Sequence, residues 1–119
     1  ELNEKYPFLK GFLEELALFY ELEDYIFVHG GIDVSLDDWR EDSIRNFTWS
    51  KQHTMRSIPG KTIIVGHTQA VRVRTDEKNL DQLFIRNPEL FENLFGEGTI
   101  HIDGSVVTTK NINVLVLDI

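Results

Sequence analysis

Cysteine is absent from all 119 residues, so no disulfide framework can staple this chain. No apolar run approaches the ~20 residues needed to cross a bilayer, and no basic stretch leads into an apolar one at the start. Neither a membrane partner nor a secretory leader is therefore read, and a cytoplasmic protein is expected. Positive charge is also scarce: 12 Lys and Arg stand against 20 Asp and Glu, a net charge of −8. That balance excludes nucleic-acid binding through a broad basic surface, which needs clustered cations. Repeats, low-complexity tracts and flexible linkers are missing too, so one core is expected from a length that fits one domain. An initiator methionine is lacking at Glu1-Leu2-Asn3, and an apolar segment begins almost at once. The chain thus reads as though something had been cut away upstream.

Two short buried strands are what the sequence does offer. Ile26-Phe27-Val28 is an unbroken apolar run that stops at His29-Gly30-Gly31, and Ile63-Ile64-Val65 stops at Gly66-His67-Thr68. Such runs read as strands covered on both faces, and the glycines that follow let the backbone turn tightly or a ligand come close. In an open α/β sheet, ligands bind at the carboxyl ends of the strands. Each of these two ends delivers a histidine. Neutral imidazole is a common ligand for Zn, Mn, Fe and Ni, although either ring taken alone is more often a structural group bonded to a backbone carbonyl. The repetition of strand, glycine and histidine favours metal. His53, in a polar helix end, reads as a surface residue, and His101, in a strand beside Asp103, as structural.

Along the chain, Pro7 opens an amphipathic helix through Phe8, Leu9, Phe12, Leu13, Leu16 and Phe19, and Leu18-Phe19-Tyr20 is alternatively a short strand before the acidic turn at 21–24. Asp42 or Ser43 caps a second helix through Ile44, Phe47 and Trp49, with Trp49 assigned to the core. Val71 and Val73 alternate with Arg72 and Arg74, which predicts a half-exposed strand. Residues 80–95 read as two short helices broken at Pro88, a lid or inserted hairpin. A strand at 99–102, the turn Asp103-Gly104 leading into Val106-Val107-Thr108, and a terminal buried strand over 113–117 complete the expectation. The fold class is α/β.

Taken in order, His29-Gly30-Gly31, Trp49-Ser50-Lys51-Gln52, Gly66-His67-Thr68, Ile102-Asp103-Gly104 and the apolar last segment resemble the C-terminal half of calcineurin-like metallophosphoesterases. The similarity is greatest to the branch of bacterial serine/threonine protein phosphatases and diadenosine tetraphosphatase-like enzymes. It implies that residues 1–119 are the C-terminal portion of a single domain in a longer protein, part of a β-sandwich flanked by helices, with two divalent ions (Mn, Fe, Zn or Ni) at the strand ends and His29 and His67 sharing one of them. The family's other ligand motifs, and its general-acid histidine, have no counterpart here, so no catalytic residue is assigned. The implied reaction is hydrolysis of a phosphorylated substrate, a phosphoprotein or a nucleotide-type phosphoester, by hydroxide activated between the two ions. Where the family carries a phosphate-gripping arginine this chain has Lys51, readable as a point-charge substitute or as a solvated lysine, and Arg40 is a second candidate. Gly30, Gly66, Thr68 and Asp103 would shape the turns or support the ligands from behind. The alternative reading is a non-catalytic binding or regulatory module on the same fold.

Overall fold

A computed structural model describes residues 2–51 and 57–119. In chain order the elements are α1 (Leu2–Lys5), α2 (Leu9–Glu14), β1 (Phe19–Glu21), β2 (Tyr25–Val28), a 3₁₀ turn (Trp39–Glu41), α3 (Ile44–Trp49), β3 (Thr62–Val65), α4 (Ala70–Arg74), α5 (Leu80–Arg86), a second 3₁₀ turn (Pro88–Phe91), β4 (Leu94–Phe95), β5 (Thr99–His101) and α6 (Val106–Thr109). The strands form one mixed sheet in the order β1-β2-β3-β5-β4. Its three central strands run parallel, and β1 and β4 pair antiparallel at the edges. The α/β class holds. Among the described residues no helix is long and apolar enough to cross a membrane.

Register decides what reaches the carboxyl rim. Val28 pairs with Val65, and Val65 with His101, so the next residues of three neighbouring strands emerge side by side. The alternating positions Ile26, Val28, Ile63 and Val65 are buried against Ile32, Trp39 and Phe47, as the two-residue period of a strand requires. Phe19 meets the edges of this cluster, 4.8 Å from the Trp39 ring and 5.3 Å from Phe47. α3 closes the core because Ser43 Oγ accepts the Asn46 N–H at 3.1 Å, the N-cap bond expected there. A second cluster of Val71, Leu83 and Phe91 holds α4, α5 and the second 3₁₀ turn together.

Several expectations need correction. Residues 70–74 are helical, since two Val/Arg alternations are too short to set a period and Val71 is drawn into the second cluster, while Arg74 donates to the carbonyls of Leu90, Glu92 and Asn93. Val106-Val107-Thr108, given no element in the sequence reading, belongs to α6. Residues 113–117 form no strand, and Val114 and Val116 are exposed. The first helix is shorter than read, and Phe8, Phe12, Leu13 and Leu16 are exposed, so its apolar face covers no core among the described residues. The break at Pro88 and the short strand at Phe19 and Tyr20 stand as expected.

Arg40 lies away from the rim. Its guanidinium forks onto Glu21, with Nη2 2.6 Å from Oε2 and Nε at 2.9 Å, and Nη1 reaches Asp38 at 3.1 Å. Glu21 pairs in register with Ile26, toward the amino end of β2, and also receives Lys61 at 3.0 Å. Arg40 thus fastens the β1–β2 hairpin to the first 3₁₀ turn. Its hydrogen bond, then that of Lys61, holds the Glu21 carboxyl below the ordinary glutamate range, and the Arg40 backbone N–H and guanidinium lower Asp38. A depressed folded-state value contributes stability that is complete above the unfolded value, about 4.3 for Glu, and disappears as pH falls through the folded one. Arg40→Ala should therefore lower Tm at neutral pH, with the gap to wild type closing as pH falls below about 4. A gap that is constant across that range would mean the latch acts through packing on Trp39 alone, whose ring lies 4.7 Å below the guanidinium.

Candidate functional site

The His29 turn is locked from two sides. Gly30 N–H donates to Phe47 O at 2.6 Å and Gly31 N–H to Asn46 O at 3.1 Å, so the turn satisfies carbonyls at the C-terminal end of α3. The His29 carbonyl accepts from both Gly66 N–H (3.0 Å) and His67 N–H (2.8 Å), which ties the second turn to the first. Gly30 has no room for a side chain: a Cβ there would lie 2.7 Å from Asn46 O, 2.8 Å from Trp49 N and 2.9 Å from Ser50 N. Gly66 is different, because a Cβ would meet only His29 Nδ1, at 3.8 Å.

These backbone bonds bring the imidazoles together. His29 Nε2 and His67 Nδ1 are 3.2 Å apart although 38 positions separate them in sequence, and the ring planes cross at 62°. His29 is exposed and His67 partly so. One ion bonded to both nitrogens at 2.0–2.1 Å would subtend roughly 100–105°, near the tetrahedral angle. The pair therefore fits a metal as two ligands of one ion, leaving positions for other donors. Among the described residues no third His, Asp or Glu joins them. His101 is buried within β5 and takes no place at the rim, and His53 and Gln52 lie outside the described residues.

A cleft of about 560 Å³ opens beside His67, lined by Trp49, Lys51, Thr68, Arg72 and the carboxylates Asp76 and Asp103. Trp49 departs from its expected core position: the residue is 70% exposed, and its indole stands edge-on to the His67 ring, with centroids 5.5 Å apart. Lys51 is exposed and makes no ion pair among the described residues. Asp103 organises its own turn, where Oδ1 accepts the Ser105 N–H at 2.8 Å and the carbonyl accepts the first N–H of α4 at 2.8 Å. That grip holds Ser105 at φ 57°, a left-handed conformation uncommon outside glycine. Thr68 is 5% exposed, and its Oγ1 has no hydrogen-bond partner among the described residues.

Sequence reading missed Arg72, which the strand assignment left as a solvent-facing residue; its place five positions after His67, in the segment leaving the turn, was the available signal. Of the two cations singled out for phosphate, Lys51 lies at the cleft and Arg40 at the other end of the sheet. No family model, curated protein or solved structure matches this chain.

Proposed function

We propose that this chain contributes the two-histidine side of a metal-dependent phosphoesterase of the calcineurin-like kind, acting on a phosphorylated protein or nucleotide-type phosphoester. The observation that carries the reading is the 3.2 Å approach of His29 Nε2 to His67 Nδ1 at the carboxyl ends of two neighbouring parallel strands of the mixed sheet. Both rings would act as neutral lone-pair donors to one of two divalent ions (Mn, Fe, Zn or Ni), and the remaining ligands would come from residues beyond these 119. Ions so held supply charge stabilisation at phosphoryl oxygens and lower the pKa of water. The work of the chain's own residues is positional. The doubly bonded His29 carbonyl fixes the spacing of the turns, Gly30 seats them on α3, and Lys51 sets a positive charge where a phosphate would enter. An apolar cleft over the opposite face of the sheet, lined by Tyr20, Phe27, Ile64 and Ile102, supports a second sheet packing there in a sandwich.

Zinc or manganese titrated into the chain tests this reading. Binding is expected at one ion per chain, with the His29 and His67 ring signals perturbed first, and either His29→Ala or His67→Ala should abolish it. Uptake that survives both substitutions would place the metal elsewhere. A full-length protein that binds metal through this pair yet hydrolyses no phosphoester would instead be a binding or regulatory module.

A further inference from the structure

We propose that Arg72, working with Lys51, grips the substrate phosphate; this rests on the phosphoesterase reading and names the group that recognises its substrate. α4 places Arg72 on the wall of the cleft that also exposes His67, Lys51 and Trp49. One nitrogen, Nη1, donates to the Glu77 carbonyl at 2.7 Å, which anchors the guanidinium at its edge. Among the described residues nothing else engages it. Asp76 and Asp103 line the same cleft, yet neither forms an ion pair with Arg72 or Lys51. The fork is therefore oriented while its other donors remain available to an anion.

Physical chemistry separates the two cations. A guanidinium presents parallel N–H donors that match two phosphate oxygens at once, whereas an ammonium adds charge without fixing orientation. Lys51 alone would attract a phosphate; Arg72 beside it would set how the phosphate lies. The buried Thr68 hydroxyl, 5% exposed and without a partner among the described residues, is a further polar group in the same wall. Arg40 cannot share the task, because Glu21 and Asp38 already occupy its donors at the far end of the sheet.

Inorganic phosphate titrated into the isotopically labelled chain provides the test, read at the two tryptophan indole N–H signals. Trp49 is exposed at the cleft and Trp39 is buried in the core, so the second signal is an internal control. A saturable shift confined to Trp49 is expected. Arg72→Ala should weaken phosphate binding at least about tenfold, since hydrogen bonds to charged groups are the strong ones. Arg72→Lys should fall between, and Arg40→Ala should keep wild-type affinity. Wild-type affinity in Arg72→Ala, or an equal loss in Arg40→Ala, overturns the assignment. Zinc titrated into the same variants keeps the two readings apart. Phosphate binding that depends on Arg72 in a chain that takes up no metal upholds the grip while sinking the metal site; metal uptake with phosphate binding indifferent to Arg72 does the reverse.

Discussion

Gly30→Ala is expected to destabilise the fold by about 3 kcal/mol, a drop in Tm on the order of 10 °C for a domain of this size. The added methyl group would meet the Asn46 carbonyl oxygen and the backbone nitrogens of Trp49 and Ser50 at 2.7–2.9 Å, and none of these is a side chain that can swing aside. Relief requires the His29 turn and the end of α3 to separate. That movement stretches the Gly30–Phe47 and Gly31–Asn46 hydrogen bonds and leaves carbonyls at the helix end less well satisfied. The effect should reach the site as well, because the His29 carbonyl that aligns the second turn sits one residue away. Gly66→Ala is the control. Its methyl group would rest 3.8 Å from His29 Nδ1 in ordinary contact, so it should cost less than about 0.5 kcal/mol and could gain slightly from a stiffer unfolded chain. Thermal unfolding followed by circular dichroism measures both. Equal losses in the two variants would mean that neither glycine is set by the packing described.

The contrast between these glycines marks what could be read from sequence. Both follow an apolar strand and precede or adjoin a histidine, and that pattern was enough to place the two turns at one rim, because strand ends and glycine are local signals. Which glycine is indispensable depends on α3, whose closest residue is 16 positions from Gly30 (46 − 30 = 16). The same limit explains Arg40. Asp38 is a partner two positions away, but the carboxylate that takes the fork of the Arg40 guanidinium, Glu21, lies 19 positions upstream across a hairpin. Trp49 was assigned inward on residue type, yet it ends α3 on the side facing the cleft, a matter of where the helix stops. The tail failed for another reason. Apolar composition predicts a strand only where an edge accepts its backbone, and the tail is instead held through side-chain amides: Asn93 Nδ2 donates to the Val114 carbonyl at 3.0 Å, and Asn113 Nδ2 donates to the Phe91 carbonyl at 2.9 Å. Local chemistry was legible, and long-range satisfaction of polar groups was not.

Under the proposed function, alanine at His29 or at His67 in the full-length protein should reduce metal-dependent hydrolysis of an aryl phosphate by more than about 100-fold, since even outer partners of metal ligands are typically worth 10–100-fold. The loss should fall on kcat more than KM, because the ion's charge matters most as charge develops on the phosphoryl oxygens. Folding should survive. His29 is exposed, His67 is partly exposed, and their ring contacts are with each other and Trp49, so each substitution should change stability by less than about 1 kcal/mol. A double substitution should be no worse than either single one, because two ligands of one ion act as a unit and losing the first already empties the position. The 119 residues alone should show no turnover with manganese supplied, as the two donors brought together among the described residues cannot assemble the paired ions. Rates unchanged in both single variants would remove the histidines from the chemistry; losses that multiply in the double variant would mean that they serve separate steps instead of one ion.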